Sequence, residues 1–206
     1  MNNTRFISFQ AFVHLASISP LVILIWDYFT NNLTYNPLQE ATLRTGKTAL
    51  ILLLFSLSCT PINAIFGFRQ AIRARRTLGL YAFAYASIHF LIFIGIDYAF
   101  QLQFIFADLA AKCYILIGFI AYTILFFLAI TSTIFWQKRL RKRWKWLHRL
   151  VYPSAVLVII HYIIVVKANL IEPLIYGSIL ILLFVLRAPS VHRFFAALFR
   201  KSYSSK

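Results

Sequence analysis

The stretch "RKRWKWLHRLVYPSAVLVIIHYIIVV", Arg141–Val166, sets a run of cations against an apolar segment. It places two histidines, His148 and His161, at the mouth and in the middle of that segment. An imidazole is costly in hydrocarbon and an imidazolium far more so, so a histidine at that depth needs a partner. The partner decides what the chain does.

Working outward, the 206 residues are 61% hydrophobic and only 13% charged, with a mean hydropathy of +0.78. A soluble domain is about half apolar and about a quarter charged. Six apolar runs have the roughly 20-residue length that a spanning helix needs: about 9–29, 47–66, 77–100, 112–136, 148–167 and 170–187. The expected fold is an all-α integral membrane protein, a six-helix transmembrane bundle in which residues 1–206 form a single domain. Nothing is left over for an extramembrane catalytic domain. The first run lacks a small-x-small cleavage site and exceeds the apolar core of a signal peptide, so it is read as a span. No internal repeat, low-complexity segment or long linker is visible.

A formal charge of +16 would, on a soluble protein, point to nucleic acid. Its distribution points to a membrane instead. Arg5 and the segments 66–76, 137–149 and 187–206 carry 17 of the 21 Lys/Arg. Arg44, Lys47, Lys112 and Lys167 fall on the other side, with all five acids, Asp27, Glu40, Asp97, Asp108 and Glu172. The positive-inside rule then puts both termini in the cytoplasm of a multi-pass protein, with the basic side against anionic lipid and no nucleic-acid partner. The tail "SVHRFFAALFRK", with His192, reads as a basic amphipathic segment along the interface. Cys59 and Cys113 fall at opposite ends of spans, beyond disulfide reach, and are expected to be buried. "ATLRTGKT", 41–48, loosely fits a phosphate loop but lacks the preceding strand that the motif's mechanism requires.

His14, His89, His148 and His161 lie in or at the spans. At about 1.5 Å per residue, His89 is about 20 Å beyond Arg76 and His161 about 18 Å beyond Arg149. The third and fifth spans run the same way, so these two imidazoles share a level. Paired histidines on neighbouring helices are what a six-coordinate b-type haem needs. A lone intramembrane histidine is also served by a hydrogen bond to a carbonyl, and that reading stands beside the first. His148 lies about 20 Å from His161, at the level of a second haem, but about 140° away around a straight helix; Pro153 is a means of distorting the turns between them. No histidine sits near Arg75 to pair with it, leaving His14 as the fourth candidate. Arg75 and Arg76 are candidates for contacts to haem propionates, as well as to lipid phosphate.

Several stretches together resemble a known family: "VHLASISPL" (13–21), "RTGKTAL" (44–50), "CTPI" (59–62), "RRTLGLYAFAYASIHF" (75–90), "AITSTIFWQKRLRKRWKWLHRLVY" (129–152) and "IIHYIIVVK" (159–167). They are similar to the MsrQ family, formerly YedZ, the haem-binding membrane subunits of a bacterial periplasmic methionine sulfoxide reductase system. The resemblance implies a ferric-reductase-like transmembrane domain in the bacterial inner membrane. It implies electrons taken from the quinol pool or a cytosolic flavin reductase and passed through haem b, one or two, to a periplasmic molybdopterin catalytic subunit. It carries the haem-iron role onto His89, His148 and His161. It also implies FMN, for which no fingerprint is present in the residues. No G-x-G-x-x-G is present either, so the electron donor is expected to be a separate molecule.

Two other readings share parts of this pattern. A stand-alone ferric or quinone reductase would have the same haem core and a different partner. A transporter with histidines lining its path would call for intramembrane acids or broken helices in repeated halves.

Overall fold

Hydrocarbon offers no water to backbone groups, and a helix pairs its own. The described residues accordingly form helices joined by short turns, with no strand among them. The structure is a computed structural model that describes residues 3–167 and 169–188. Its helices are α1 (Asn3–Phe29), α2 (Pro37–Phe66), α3 (Arg69–Ile92, running on as a π-turn over Phe93–Asp97), α4 (Leu102–Ala111) and α5 (Cys113–Ile130). After these come α6 (Ile134–Leu140), α7 (Lys142–Leu147), a 3-10 turn over His148–Leu150, α8 (Val151–Val166) and α9 (Ile171–Leu186).

Five stretches are helical, long and apolar enough to cross a membrane: Ile7–Phe29, Pro37–Phe66, Arg69–Asp97, Cys113–Ile130 and Lys142–Val166. The sixth expected run is an apolar helix, α9, of only 16 residues. Two helices start well before the apolar runs that announced them. Asn36 accepts the Gln39 N–H at 3.1 Å, Pro37 opens the helix and Glu40 sits in its first turn, so α2 is nucleated ahead of its hydrophobic stretch. "ATLRTGKT" is therefore helix, with its amides spent on the helix ladder and no anion cradle. The basic residues 69–76 are likewise the first turns of α3. The fourth run, expected to reach 136, stops at Ile130; the chain turns at Thr131–Thr133 and returns through the short basic helices α6 and α7.

In a bilayer, helices associate through close packing of small side chains. Many of the least exposed residues fit this rule, beside Leu50, Leu53 and Leu57. Ser17, Ala74, Ala82, Ala121, Ser154 and Ala155 are each no more than 2% exposed, while many Phe, Ile and Leu side chains point outward. The bundle is built from two helical hairpins, α2 with α3 and α5 with α8. Leu50, Leu53, Leu57, Leu125, Ile159 and Leu180 fill the space between them and α9. α1 leans on α3 through Tyr85. Its hydroxyl donates to the Ser17 carbonyl at 2.8 Å and accepts the Leu21 N–H at 3.0 Å. Tyr85 is thus inserted into the α1 ladder beside Pro20, which has no N–H to offer.

The two ends of the bundle differ in charge. Asp27 and Glu40 pair with Arg44, Glu172 with Lys47 at 2.8 Å, and Asp108 with Lys112 at 2.7 Å, all at one end. Cys59 is buried, but Cys113 is exposed at the start of α5, against the expectation for it. The amphipathic tail and His192 lie outside the described residues.

Candidate cofactor site

The structure brings His89 of α3 and His161 of α8 together. Their ring centroids are 6.4 Å apart and their planes are nearly perpendicular, at 89°. His89 Nδ1 is 2.8 Å from the Thr42 carbonyl and His161 Nδ1 is 2.7 Å from the Tyr114 carbonyl. A carbonyl can only accept, so each ring carries its proton on Nδ1 and keeps a lone pair on Nε2. That is the tautomer a metal-ligating histidine adopts, with its other nitrogen fixed by a carbonyl. The hydrogen bond expected of a lone membrane histidine is thus present, and it leaves the ligating nitrogen uncommitted.

Two imidazoles on opposite faces of one metal ion have centroids roughly 6 Å apart, given a metal–nitrogen bond of about 2.0 Å and about 1.1 Å from nitrogen to ring centre. The observed separation fits one six-coordinate iron between His89 and His161. The helices facing the rings leave room for them: Gly46 on α2 lies against His89 and Gly118 on α5 against His161. The residues present fit a haem held by two histidines. Among the described residues no group of three or more His, Cys, Asp and Glu side chains is arranged to hold a metal ion.

His148 sits elsewhere, at the basic end, in a different setting. Its ring stacks on Trp144 at 4.1 Å, and its Nε2 is 3.2 Å from Thr131 Oγ1. The Thr131 hydroxyl donates to the Phe127 carbonyl at 2.6 Å, so it accepts from His148, whose proton is then on Nε2. Trp144 Nε1–H also donates to the Thr131 carbonyl, at 2.8 Å. The 140° phase problem is eased by the 3-10 turn that starts at His148. Three residues at about 120° rather than about 100° cut the offset from His161 to about 80°. Pro153 lies in the first turn of α8, where proline is tolerated.

A cavity of about 450 Å³ opens beside His148, lined by Arg75, Arg76, Gln137, Trp144 and Arg149 among others. Its size suits a small-molecule cofactor, and its cations suit an anionic one. Arg75 also donates to Thr60 Oγ1 at 3.3 Å. His14 does not join this cavity; it pairs with Tyr81 of α3, Nδ1 to hydroxyl, at 2.9 Å. The sequence reading missed Thr131 and Trp144, as well as the two glycines. A threonine and a tryptophan at a helix break carry no motif, and a membrane glycine has many uses.

This helical membrane domain, with two histidines facing one another inside it, is of the ferric-reductase-like class: residues 41–160 match the family described as ferric reductase like transmembrane component. The heme-binding subunit MsrQ of protein-methionine-sulfoxide reductase from Rhodospirillum rubrum is 43% identical over 88% of each chain. The same subunit from Xanthomonas axonopodis pv. citri is 37% identical over 88% of this chain and 86% of its own. That from Xanthomonas campestris pv. campestris is 40% identical over 83% and 81%. The chain belongs to the MsrQ family.

Proposed function

We propose that this chain is a b-haem electron-transfer subunit. In this reading it passes electrons from the quinol pool or a cytosolic flavin reductase to a periplasmic molybdopterin methionine sulfoxide reductase. The observation that carries the reading is the 6.4 Å histidine pair with both Nδ1 protons committed to carbonyls. His89 and His161 would hold the iron from opposite faces. Haem, when bound, supplies a one-electron carrier. The chain's own part is to fix the two ligand nitrogens, surround them with apolar helix and shut out water.

In this reading α9 is the sixth crossing and both termini are cytoplasmic, a topology supported by the 17-to-4 division of cations. In this reading the membrane is the inner membrane of a bacterium, which the family membership supports. The cavity beside His148 takes a second haem or FMN. His148 offers one nitrogen there, and Arg75 and Arg76 offer charge to propionates or a phosphate. The basic end is the docking face for an acidic electron donor and the acid-bearing end is the face for the catalytic partner. Lipid also contacts the basic end.

The test is a reduced-minus-oxidised spectrum of detergent-purified protein, with added donors compared. The expected result is a low-spin b-type Soret band that responds to a flavin reductase with NADPH or to a quinol, and not to NADPH alone. Folded but colourless protein would overturn the reading.

A further inference from the structure

The two hairpins hold their histidines with the same device. His89 meets the carbonyl 47 residues before it, and so does His161. In both hairpins a glycine follows that carbonyl by one helical turn, Gly46 after Thr42 and Gly118 after Tyr114. In both, the Nδ1 edge of the imidazole lies against that glycine. A Cβ at Gly46 would come within 2.9 Å of His89 Nδ1, and one at Gly118 within 2.8 Å of His161 Nδ1. Real Cβ atoms do not come this close, and neither ring is free to retreat. Each is pinned on one side by its carbonyl and, on the haem reading, on the other by iron. No repeat is visible in the letters, because only the contact positions recur.

We infer that Gly46 and Gly118 are a matched pair of positioning residues. Each shelf sets how far its imidazole sinks toward its carbonyl, and the two together set the near-perpendicular ring planes. This inference rests on the haem reading of the pair. It concerns how the ligand nitrogens are aimed, which axial-ligand orientation and hydrogen bonding convert into spectrum and potential. Other glycines do not share the property: a Cβ at Gly177 would meet only Ile159, at an ordinary 3.5 Å.

The experiment compares Gly46→Ala, Gly118→Ala and Gly177→Ala, with His89→Ala and His161→Ala as references, at equal purified protein. Perpendicular imidazoles give a strongly anisotropic low-spin EPR signal. The expected result is that Gly46→Ala and Gly118→Ala each weaken haem retention by about tenfold and shift both that signal and the midpoint potential. Gly177→Ala should match the wild type. Should Gly46→Ala fail to accumulate, the double variant Gly46→Ala/His89→Ala decides, because removing the imidazole removes the clash. Recovery to the level of His89→Ala supports the inference, and no recovery overturns it. Wild-type retention, EPR signal and potential in both glycine variants also overturn it, provided the histidine variants lose haem. If the histidine variants keep full low-spin haem, the haem reading itself falls.

Discussion

His161 and His148 lie thirteen residues apart on one stretch of chain, yet they are held in opposite ways. His161 has a mirror partner in His89, with the same carbonyl bond and the same glycine shelf. Among the described residues His148 has no such partner. The residue thirteen before His89 is Arg76, a cation that lines the cavity facing His148. His89 and His161 keep their protons on Nδ1 and free Nε2; His148 spends Nε2 on Thr131. Two hairpins with matched contacts therefore yield a symmetric site at one level and an asymmetric one at the other. The difference lies in what stands opposite each ring, a histidine or an arginine, and in the ring's second contact.

The sharpest way to break this comparison is to remove the imidazoles singly. His89→Ala and His161→Ala should each lose most of one and the same haem, since a six-coordinate iron is left open on one face by either change. His148→Ala should leave that haem in place and affect only a component at the basic end. Haem content and low-spin spectra of the three variants at equal protein are the measurement. Full low-spin haem in His89→Ala with none in His148→Ala would reverse the assignment of the two levels.

A smaller effect is expected from the supports of His148. Trp144 both stacks on the ring and donates to the carbonyl of Thr131, so Trp144→Ala removes two restraints at once. Loss of such supporting contacts weakens ligand binding by about tenfold. The change should be confined to the basic-end component, leaving the signal of the His89–His161 site as it is. An equal loss at both sites would show that Trp144 acts through the whole fold.

Smaller again is the change expected at Tyr85, one turn from His89 on α3. Tyr85→Phe removes the hydroxyl between Ser17 and Leu21. The Leu21 N–H and the Ser17 carbonyl can then close on each other, so the cost should be about 1 kcal/mol, toward the low end for a buried hydrogen bond. A drop of a few degrees in the thermal midpoint in detergent, with an unchanged haem spectrum, is the expected outcome. A spectral change would mean that α1 helps to aim His89.

Much of this architecture was legible from periodicity and depth. Apolar run length found five helices long enough to cross a membrane and a shorter sixth, and residue counts from the flanking arginines put His89 and His161 at one level. The charge split anticipated that the acids gather with the outlying cations, as Arg44, Lys47 and Lys112 do. Helix starts were misjudged where hydrophobicity does not set them: at Asn36–Pro37 a cap does, and at Arg69 the helix opens with basic turns and no side-chain cap. The surroundings of His148 were illegible because they depend on a chain reversal at Thr131–Thr133, which folds Trp144 back over the ring. The glycine shelves were hidden for another reason: a contact with a missing side chain leaves no trace in composition.

The smallest effect should appear at the acid-bearing end, far from either asymmetry. Asp108 accepts from Lys112 at 2.7 Å and from the Tyr98 hydroxyl, tying the start of α5 to the turn that follows α3. The Lys112 hydrogen bond, seconded by that of Tyr98, holds the Asp108 carboxyl below its ordinary range. A carboxylate whose folded pKa is depressed contributes stability that is present above its unfolded pKa of about 3.9 and is lost as the pH falls through the folded value. Asp108→Asn should therefore melt slightly below the wild type at pH 6, and the gap should close as the pH drops below about 4. The site is exposed, so the gap should be small and should shrink further in high salt. Thermal midpoints of the two proteins in detergent across that pH range are the check. A gap that widens on acidification would mean that Asp108 is favoured in its protonated form, and that this end is not held by the charge pairing seen there.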